Sequence, residues 1–251
     1  MVSLQLKDLG AFYGKKLTVS EVTTPALQPG EIVAVIGPNA AGKSTLFKRI
    51  AGLLKGPGEV NLTGSAKGNK AISYMPQDTS ANAVLTVYES ILLARKQGSA
   101  WSVHDADLQL VDHIMESLDI ASIAFRDLGA LSGGQRQLVS VAQTLVRDPD
   151  VMLMDEPTSA LDLHRQVEVL SFMQEQARRK DMIVLIAIHD LNQALRFADT
   201  VLLIANGKMR ACGSPSDVIN SAMLRATYGV EARVEKCSRR FDHVIVDGVA
   251  A

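Results

Sequence analysis

Cysteine is scarce in this chain. Cys212 and Cys237 are the two among 251 residues, far apart and outside any metal-ligand spacing. They read as small buried or incidental thiols of a reducing compartment. Long hydrophobic runs are missing too. The longest, MIVLIAI at Met182 to Ile188, falls far short of a membrane span, so any membrane role has to pass through a partner. No charge of one sign prevails: a net charge of −1 leaves no bulk attraction to nucleic acid or anionic lipid. Ser3, Gln5, Lys7 and Asp8 interrupt the N-terminus where a secretory signal needs an apolar core. Repeats, low-complexity tracts and an evident interdomain linker are also absent.

What is present is enough apolar material for a real core, 47% of residues, in a length that suits one large domain or two small ones. Val2 to Leu9 alternate apolar and polar residues and predict a strand. EIVAVIG, Glu31 to Gly37, is a short apolar run entering a glycine loop and predicts a buried strand. Leu46, Ile50 and Leu53 then follow at helical spacing, predicting a helix from about Thr45. Short strands are expected between Glu59 and Tyr74. After Gln77 the pattern turns helical: Thr86 with Glu89 forms a capping box, and Leu108, Val111, Met115 and Leu118 share one face. Residues 79–129 therefore read as a helical insertion within a core formed by 1–78 and 130–251. Beyond it, a helix at 134–147, a strand at Val151 to Met154, a helix at 163–178, a strand at Ile183 to Ile188 and a helix at 191–197 alternate. Asn206-Gly207 between two apolar runs predicts a hairpin. Such alternation predicts an α/β fold with a mainly parallel sheet and helices on both faces, plus an antiparallel β part at the N-terminus.

Three motifs carry chemistry. Gly37, Pro38, Asn39, Ala40, Ala41, Gly42, Lys43, Ser44 and Thr45 form a phosphate-binding P-loop, placed between a predicted strand and a predicted helix as that motif requires. Its backbone N–H groups and Lys43 suit phosphate oxygens, and Ser44 suits Mg2+. Asp155 and Glu156 end a buried strand, where open parallel sheets bind ligands. Adjacent residues point apart, so Asp155 suits the Mg2+ shell and Glu156 suits the attacking water. LSGGQ, Leu131 to Gln135, is an S-x-x-Q capping box whose glycines leave the backbone open to an anion. A chain that already owns a phosphate cradle needs another reason for this second one.

The ordered set Gly37–Thr45, Gln77, Leu131–Gln135, Met152–Glu156, Ser159–Asp162 and His189 resembles the ATP-binding subunit of an ABC transporter, over nearly the whole chain. LSGGQ between the P-loop and the acidic pair is highly specific to that superfamily. The resemblance implies a P-loop (RecA-like) core, a homodimer that pairs head to tail, and two ATP sites, each closed by the P-loop of one copy and Ser132, Gly133, Gly134 and Gln135 of the other. It implies that Tyr13 stacks on adenine, with a packed strand tyrosine as the lesser alternative. Gln77 is implied as the sensor of Mg2+ and γ-phosphate, Asp162 as the loop crossing to the partner's site or simply a helix N-cap, and His189 as the switch histidine. His104, His113, His164 and His243 read as surface or packing residues. The implied cofactors are ATP and Mg2+, with Ser44, Gln77 and Asp155 around the metal. The implied partners are integral membrane permease subunits, docked on the helical insertion, and indirectly a periplasmic or extracellular substrate-binding protein. The chain would then be peripheral, on the cytoplasmic face of the inner membrane.

EPTSALDLHRQVEVL, IAIHDLNQALRFAD and MLRATYGVEARV look most like importers of iron-siderophore, haem or cobalamin type, with zinc or manganese importers the nearest rival. A permease-free ABC ATPase of DNA repair would carry a long coiled-coil insertion, and one of translation usually carries two tandem cassettes. A GTPase would need an acidic residue near GNKAIS at Gly68. Two positions depart from the family pattern. Ala40 stands where many relatives have glycine, at a cost of about 1 kcal/mol if φ is positive, and ATP binding is expected to survive it. Gln143 stands where relatives usually have arginine.

Overall fold

The structure is a computed structural model that describes residues 1–77, 84–97 and 102–250. In chain order its strands are β1 (Ser3–Lys7), β2 (Leu9–Tyr13), β3 (Lys16–Val22), β4 (Ile32–Ile36), β5 (Glu59–Thr63), β6 (Ile72–Met75), β7 (Val151–Asp155), β8 (Ile183–Ala187), β9 (Thr200–Ala205), β10 (Lys208–Gly213), β11 (Val230–Lys236) and β12 (Asp242–Val249). The main helices are α1 (Lys43–Ile50), α2 (Val87–Lys96), α3 (Asp105–Ser117), α4 (Gly133–Leu145), α5 (Leu163–Lys180) and α6 (Leu191–Phe197).

One sheet of eight strands, in the order β2-β3-β10-β9-β4-β8-β7-β6, organises the molecule. From β9 to β6 all neighbours are parallel. Strands β4, β7 and β8 are buried at every residue, which is why their sequences run apolar without alternation. Their side chains still divide by pleat. Val33, Val35, Val151 and Leu153 pack with Leu46 and Phe47 of α1 and with Leu4 and Leu6 of β1. Ile32, Ala34, Met152 and Met154 pack on the other face with residues of α4 and α5. The acidic pair and the P-loop thus leave the same end of two parallel buried strands, β7 and β4, with β8 between them.

The antiparallel part comprises β2 with β3 and a separate pair, β1 with β5. The single strand expected over Val2 to Leu9 is corrected here. Asp8 takes a left-handed φ of 45°, and the chain breaks into β1 and β2, which join different sheets. The first helix also starts at Lys43, two residues before the expected Thr45. The Asn206-Gly207 hairpin forms as expected: both residues have positive φ, 51° and 73°, and β9 and β10 pair antiparallel. Thr86 and Glu89 make the expected capping box on α2. Residues 79–83 and 98–101 of the expected helical insertion lie outside the described residues. Within the rest, α2 and α3 pack on each other and on α4.

Past residue 229 the structure adds an element that the strand reading of the sequence omits. Strands β11 and β12 form an antiparallel hairpin against α6. Asn192 holds it with a two-way amide contact: its Oδ1 accepts from Val244 N–H at 2.7 Å and its Nδ2 donates to Val244 O at 3.5 Å.

Candidate functional site

Between β4 and α1 the chain makes the tight turn Gly37–Gly42. Gly37 is held at φ 148°, and a Cβ there would lie 1.9 Å from the Ile204 carbonyl oxygen, so no side chain fits. Ala40 sits at φ 61°, the left-handed conformation that costs an L-residue about 1–2 kcal/mol. The strain foreseen for this alanine is therefore present. Helix α1 has no side-chain cap and no acidic residue in its first turn, which leaves its N-terminal N–H groups to an anion. Lys43 folds back over the turn, and its Nζ donates to Gly37 O at 2.8 Å and Pro38 O at 3.2 Å. Burial lowers its pKa, with Glu156 and Asp155 pulling the other way.

Leu153 and Asp155 share a pleat face, so Asp155 points to the α1 side of the sheet. It is 1% exposed. Burial raises its pKa, opposed by hydrogen bonds from Ser44 and Tyr74. Tyr74 donates its hydroxyl to Asp155 Oδ2 at 3.2 Å, whereas Oδ1 is buried with no partner among the described residues. A buried carboxylate oxygen left bare beside a serine hydroxyl fits a cation shell, since such atoms are otherwise paired. No cluster of three or more His, Cys, Asp or Glu able to hold a metal occurs among the described residues. Asp155 Oδ1 and the Ser44 hydroxyl are oxygens of the kind that suit Mg2+.

Glu156 turns away at φ 54°, so the two neighbouring carboxylates are aimed differently, as expected. Its Oε2 accepts from Gln77 Nε2 at 2.7 Å, and its Oε1 meets His189 Nε2. Gln77 leaves the end of β6, Glu156 the end of β7 and His189 the end of β8, so parallel order alone converges the three. They line one cleft of about 660 Å³ together with Asn39 to Thr45 and Tyr13. Tyr13 is 64% exposed, which overturns the packed-strand reading of that residue. Gly37 and Pro38 are not among the cleft's lining residues; they serve it through Lys43.

The structure does not bring LSGGQ to this cleft. Ser132 caps α4 by accepting from Gln135 N–H at 3.2 Å, and Gln135 Oε1 accepts from Ser132 N–H at 3.1 Å. Asp162 caps α5 by accepting from Arg165 N–H at 2.9 Å. Ser132, Gly133, Gly134, Gln135 and Asp162 line a second cleft, about 530 Å³, that shares no lining residue with the first.

One residue that the sequence did not single out joins the two. Gln137 on α4 is 4% exposed. Its Nε2 donates to Glu156 O at 2.6 Å and its Oε1 accepts from Ala160 N–H at 2.8 Å. A polar residue on the apolar face of a predicted helix was the available signal. Tyr228 is a second omission: Gly37 N–H hydrogen-bonds to its hydroxyl, and burial pushes its pKa up to about 12. Nothing in the local sequence foretold that contact, which spans most of the chain.

Known proteins show the same pattern. The ABC transporter family matches residues 22–159. The chain is 35% identical over 257 residues to the hemin import ATP-binding protein HmuV of Pseudomonas aeruginosa, covering 97% of this chain and 99% of that one. It is 31% identical over 244 residues to the iron(3+)-hydroxamate import ATP-binding protein FhuC of Bacillus subtilis, covering 93% and 90%. Among solved structures it matches a chain from an inward-facing ABC transporter classed as metal-chelate type, at a TM-score of 0.85 and 27% identity, covering 98% of each. A P-loop, an LSGGQ helix and an acidic strand end, placed on this sheet and matched over this length, make the chain a member of the ABC transporter family, one of its ATP-binding and ATP-hydrolysing proteins.

Proposed function

We propose that this chain is the ATPase of an importer for an iron-siderophore, haem or cobalamin, and that it works as a pair of copies enclosing two ATP molecules. The observation that carries the pairing is the separation of the two clefts. The phosphate loop, Gln77, Glu156 and His189 line one, and LSGGQ with Asp162 line the other. Each is an anion-binding half with an open side, and two copies related by a two-fold axis would present one half to the other twice. The cargo class rests on the relatives named for import of hemin, iron(3+)-hydroxamate and cobalamin.

In this reading the adenine stacks on exposed Tyr13 and the phosphates lie against the N-terminus of α1 and Lys43. Ser44, Asp155 and Gln77 hold Mg2+, which when bound neutralises phosphate charge. Water oxygen attacks the γ-phosphorus, the bond to the ADP oxygen breaks, and Glu156 takes the water proton. For that, Glu156 has to exchange its present partners. Both its oxygens are engaged, one by Gln77 and one by His189. A γ-phosphate that draws His189 and Gln77 to itself frees the carboxylate, so the base is idle until the nucleotide is seated. ATP shifts the pair toward closure because it touches both copies only when they are closed. The motion is delivered to permease subunits, since none of the described helices is long and apolar enough to cross a membrane.

Mixing two crippled forms tests the shared site. Lys43→Ala and Ser132→Arg subunits are each expected to hydrolyse little ATP alone, and their mixture to recover turnover from one intact composite site. A mixture as inactive as its components would refute the pairing. Uptake of labelled siderophore, haem and cobalamin by a strain lacking the gene tests the cargo; unchanged uptake of all three would remove it.

A further inference from the structure

The metal-shell carboxylate is held by a residue from the neighbouring strand. Asp155 ends β7, and Tyr74 lies on β6, in register with Leu153. Leu153 and Asp155 share one pleat face, so the tyrosine ring lies along the same face as the carboxylate, two residues short of it. The ring packs with the apolar cluster around α1, a job that phenylalanine would do equally well. The hydroxyl has a separate use: it donates to Asp155 Oδ2 at 3.2 Å. With Oδ2 taken, Oδ1 alone stays bare, buried and without a partner among the described residues, and Ser44 lies within hydrogen-bonding reach of the same carboxylate.

We propose that Tyr74 is a positioning residue for Mg2+: its hydroxyl fixes the rotation of the Asp155 carboxylate so that Oδ1 and Ser44 face the metal together. This rests on the reading of Asp155 as part of the Mg2+ shell. A carboxylate on a single Cβ–Cγ bond has a broad, two-fold torsion, and a partner that hydrogen-bonds one oxygen is how metal ligands are oriented by their neighbours. Of the other neighbours of Asp155, Ser44 is itself read as a metal ligand and so is not free to fix the carboxylate. The backbone of Ala187, opposite Asp155 on β8, belongs to the sheet ladder, and Lys43 Nζ is directed to the Gly37 and Pro38 carbonyls.

The test uses the whole chain with a non-hydrolysable ATP analogue and Mn2+ as a paramagnetic probe. Tyr74→Phe is expected to weaken Mn2+ binding about tenfold, in the range seen when such orienting partners are removed. Binding of the analogue in excess chelator should stay unchanged, because the phosphate loop is untouched. ATP turnover of the variant should recover as Mg2+ is raised. Mn2+ affinity within about twofold of the unaltered chain, or a parallel loss of metal-free nucleotide binding, overturns the proposal. Asp155→Asn separates the two levels. If it loses Mn2+ while Tyr74→Phe does not, only the tyrosine's role falls. If neither variant changes Mn2+ binding, the metal shell reading falls with it.

Discussion

Replacing Gln137 by alanine should uncouple the LSGGQ helix from the turn that carries Glu156. In the intact chain the Gln137 amide bridges Glu156 O at 2.6 Å and Ala160 N–H at 2.8 Å. Removing it does not strip both groups equally. The Glu156 carbonyl keeps the Ser159 hydroxyl, which donates at 3.1 Å, so that loss is about 1 kcal/mol. The Ala160 N–H has no second partner in the described structure, and leaving a part-buried donor unmet costs about 1–2 kcal/mol. The buried stem of the side chain adds roughly 1 kcal/mol. A loss of about 3–4 kcal/mol in urea-induced unfolding follows. ATP turnover, measured where the variant is still folded, should fall further than stability alone explains. Glu156 is held at a left-handed φ of 54°, and with the bridge gone that strain, about 1–2 kcal/mol, is relieved by moving the carboxylate. Gln137→Glu is the sharper control: it keeps an acceptor for Ala160 but sets an oxygen against the Glu156 carbonyl, and should be no better than alanine. A stability loss under about 0.5 kcal/mol with unchanged turnover would refute the reasoning.

Three further outcomes are expected. Gly37→Ala should abolish nucleotide binding, measured with a fluorescent ATP analogue, because its Cβ would lie 1.9 Å from the Ile204 carbonyl oxygen; wild-type affinity would contradict this. Ser73 is 1% exposed, and its hydroxyl has no partner among the described residues, so Ser73→Ala should leave urea stability equal or raise it by about 1 kcal/mol; a loss above that would reveal a partner for the hydroxyl. Lys96 and then Arg95 hold the Asp107 carboxyl well below the usual carboxylate range. The stabilisation from a depressed pKa is complete above the unfolded value, about 4, and lost as pH falls through the folded one. The stability gap between the chain and its Asp107→Asn variant should therefore be widest near neutral pH and close below about pH 4; a gap constant with pH would contradict the pairing.

The residues that announce themselves in the sequence are those whose chemistry is local. The P-loop reads directly because a strand, a glycine turn and a helix start are all contained in nine residues. The two capping boxes at Thr86 and Ser132 read as readily, since both partners lie three residues apart. Convergence of Gln77, Glu156 and His189 was inferable from parallel topology, each being the residue after or near a strand end. What escaped is set by contacts between distant segments. Asp8 carries no glycine or proline to mark a break, and its left-handed turn serves two sheets at once. The pairing of β11 with β12 escaped because no turn dipeptide marks Cys237 to Phe241, and because β11 is partly exposed along its length. Gln137 and Tyr74 look like ordinary members of an apolar pattern until the neighbouring element is placed beside them. Of the two cysteines, Cys237 is exposed and Cys212 half-buried, both free.

The phosphate loop is spelled out early in the chain but its walls are made late. The Ile204 carbonyl fixes the space at Gly37, Gly207 N–H donates to Ala41 O at 3.0 Å, and Ile32, at the foot of the same strand, bonds to Asp199, 167 residues onward. On the ribosome, the flanking strands β8 and β9 emerge long after the loop itself. A chain cut short before residue 200 would therefore carry the whole motif yet lack β9 and the Ile204 and Gly207 contacts that shape it, and such long-range closure is slow to reach. Truncated or stalled translation products should accordingly be unable to bind the nucleotide that the finished protein consumes.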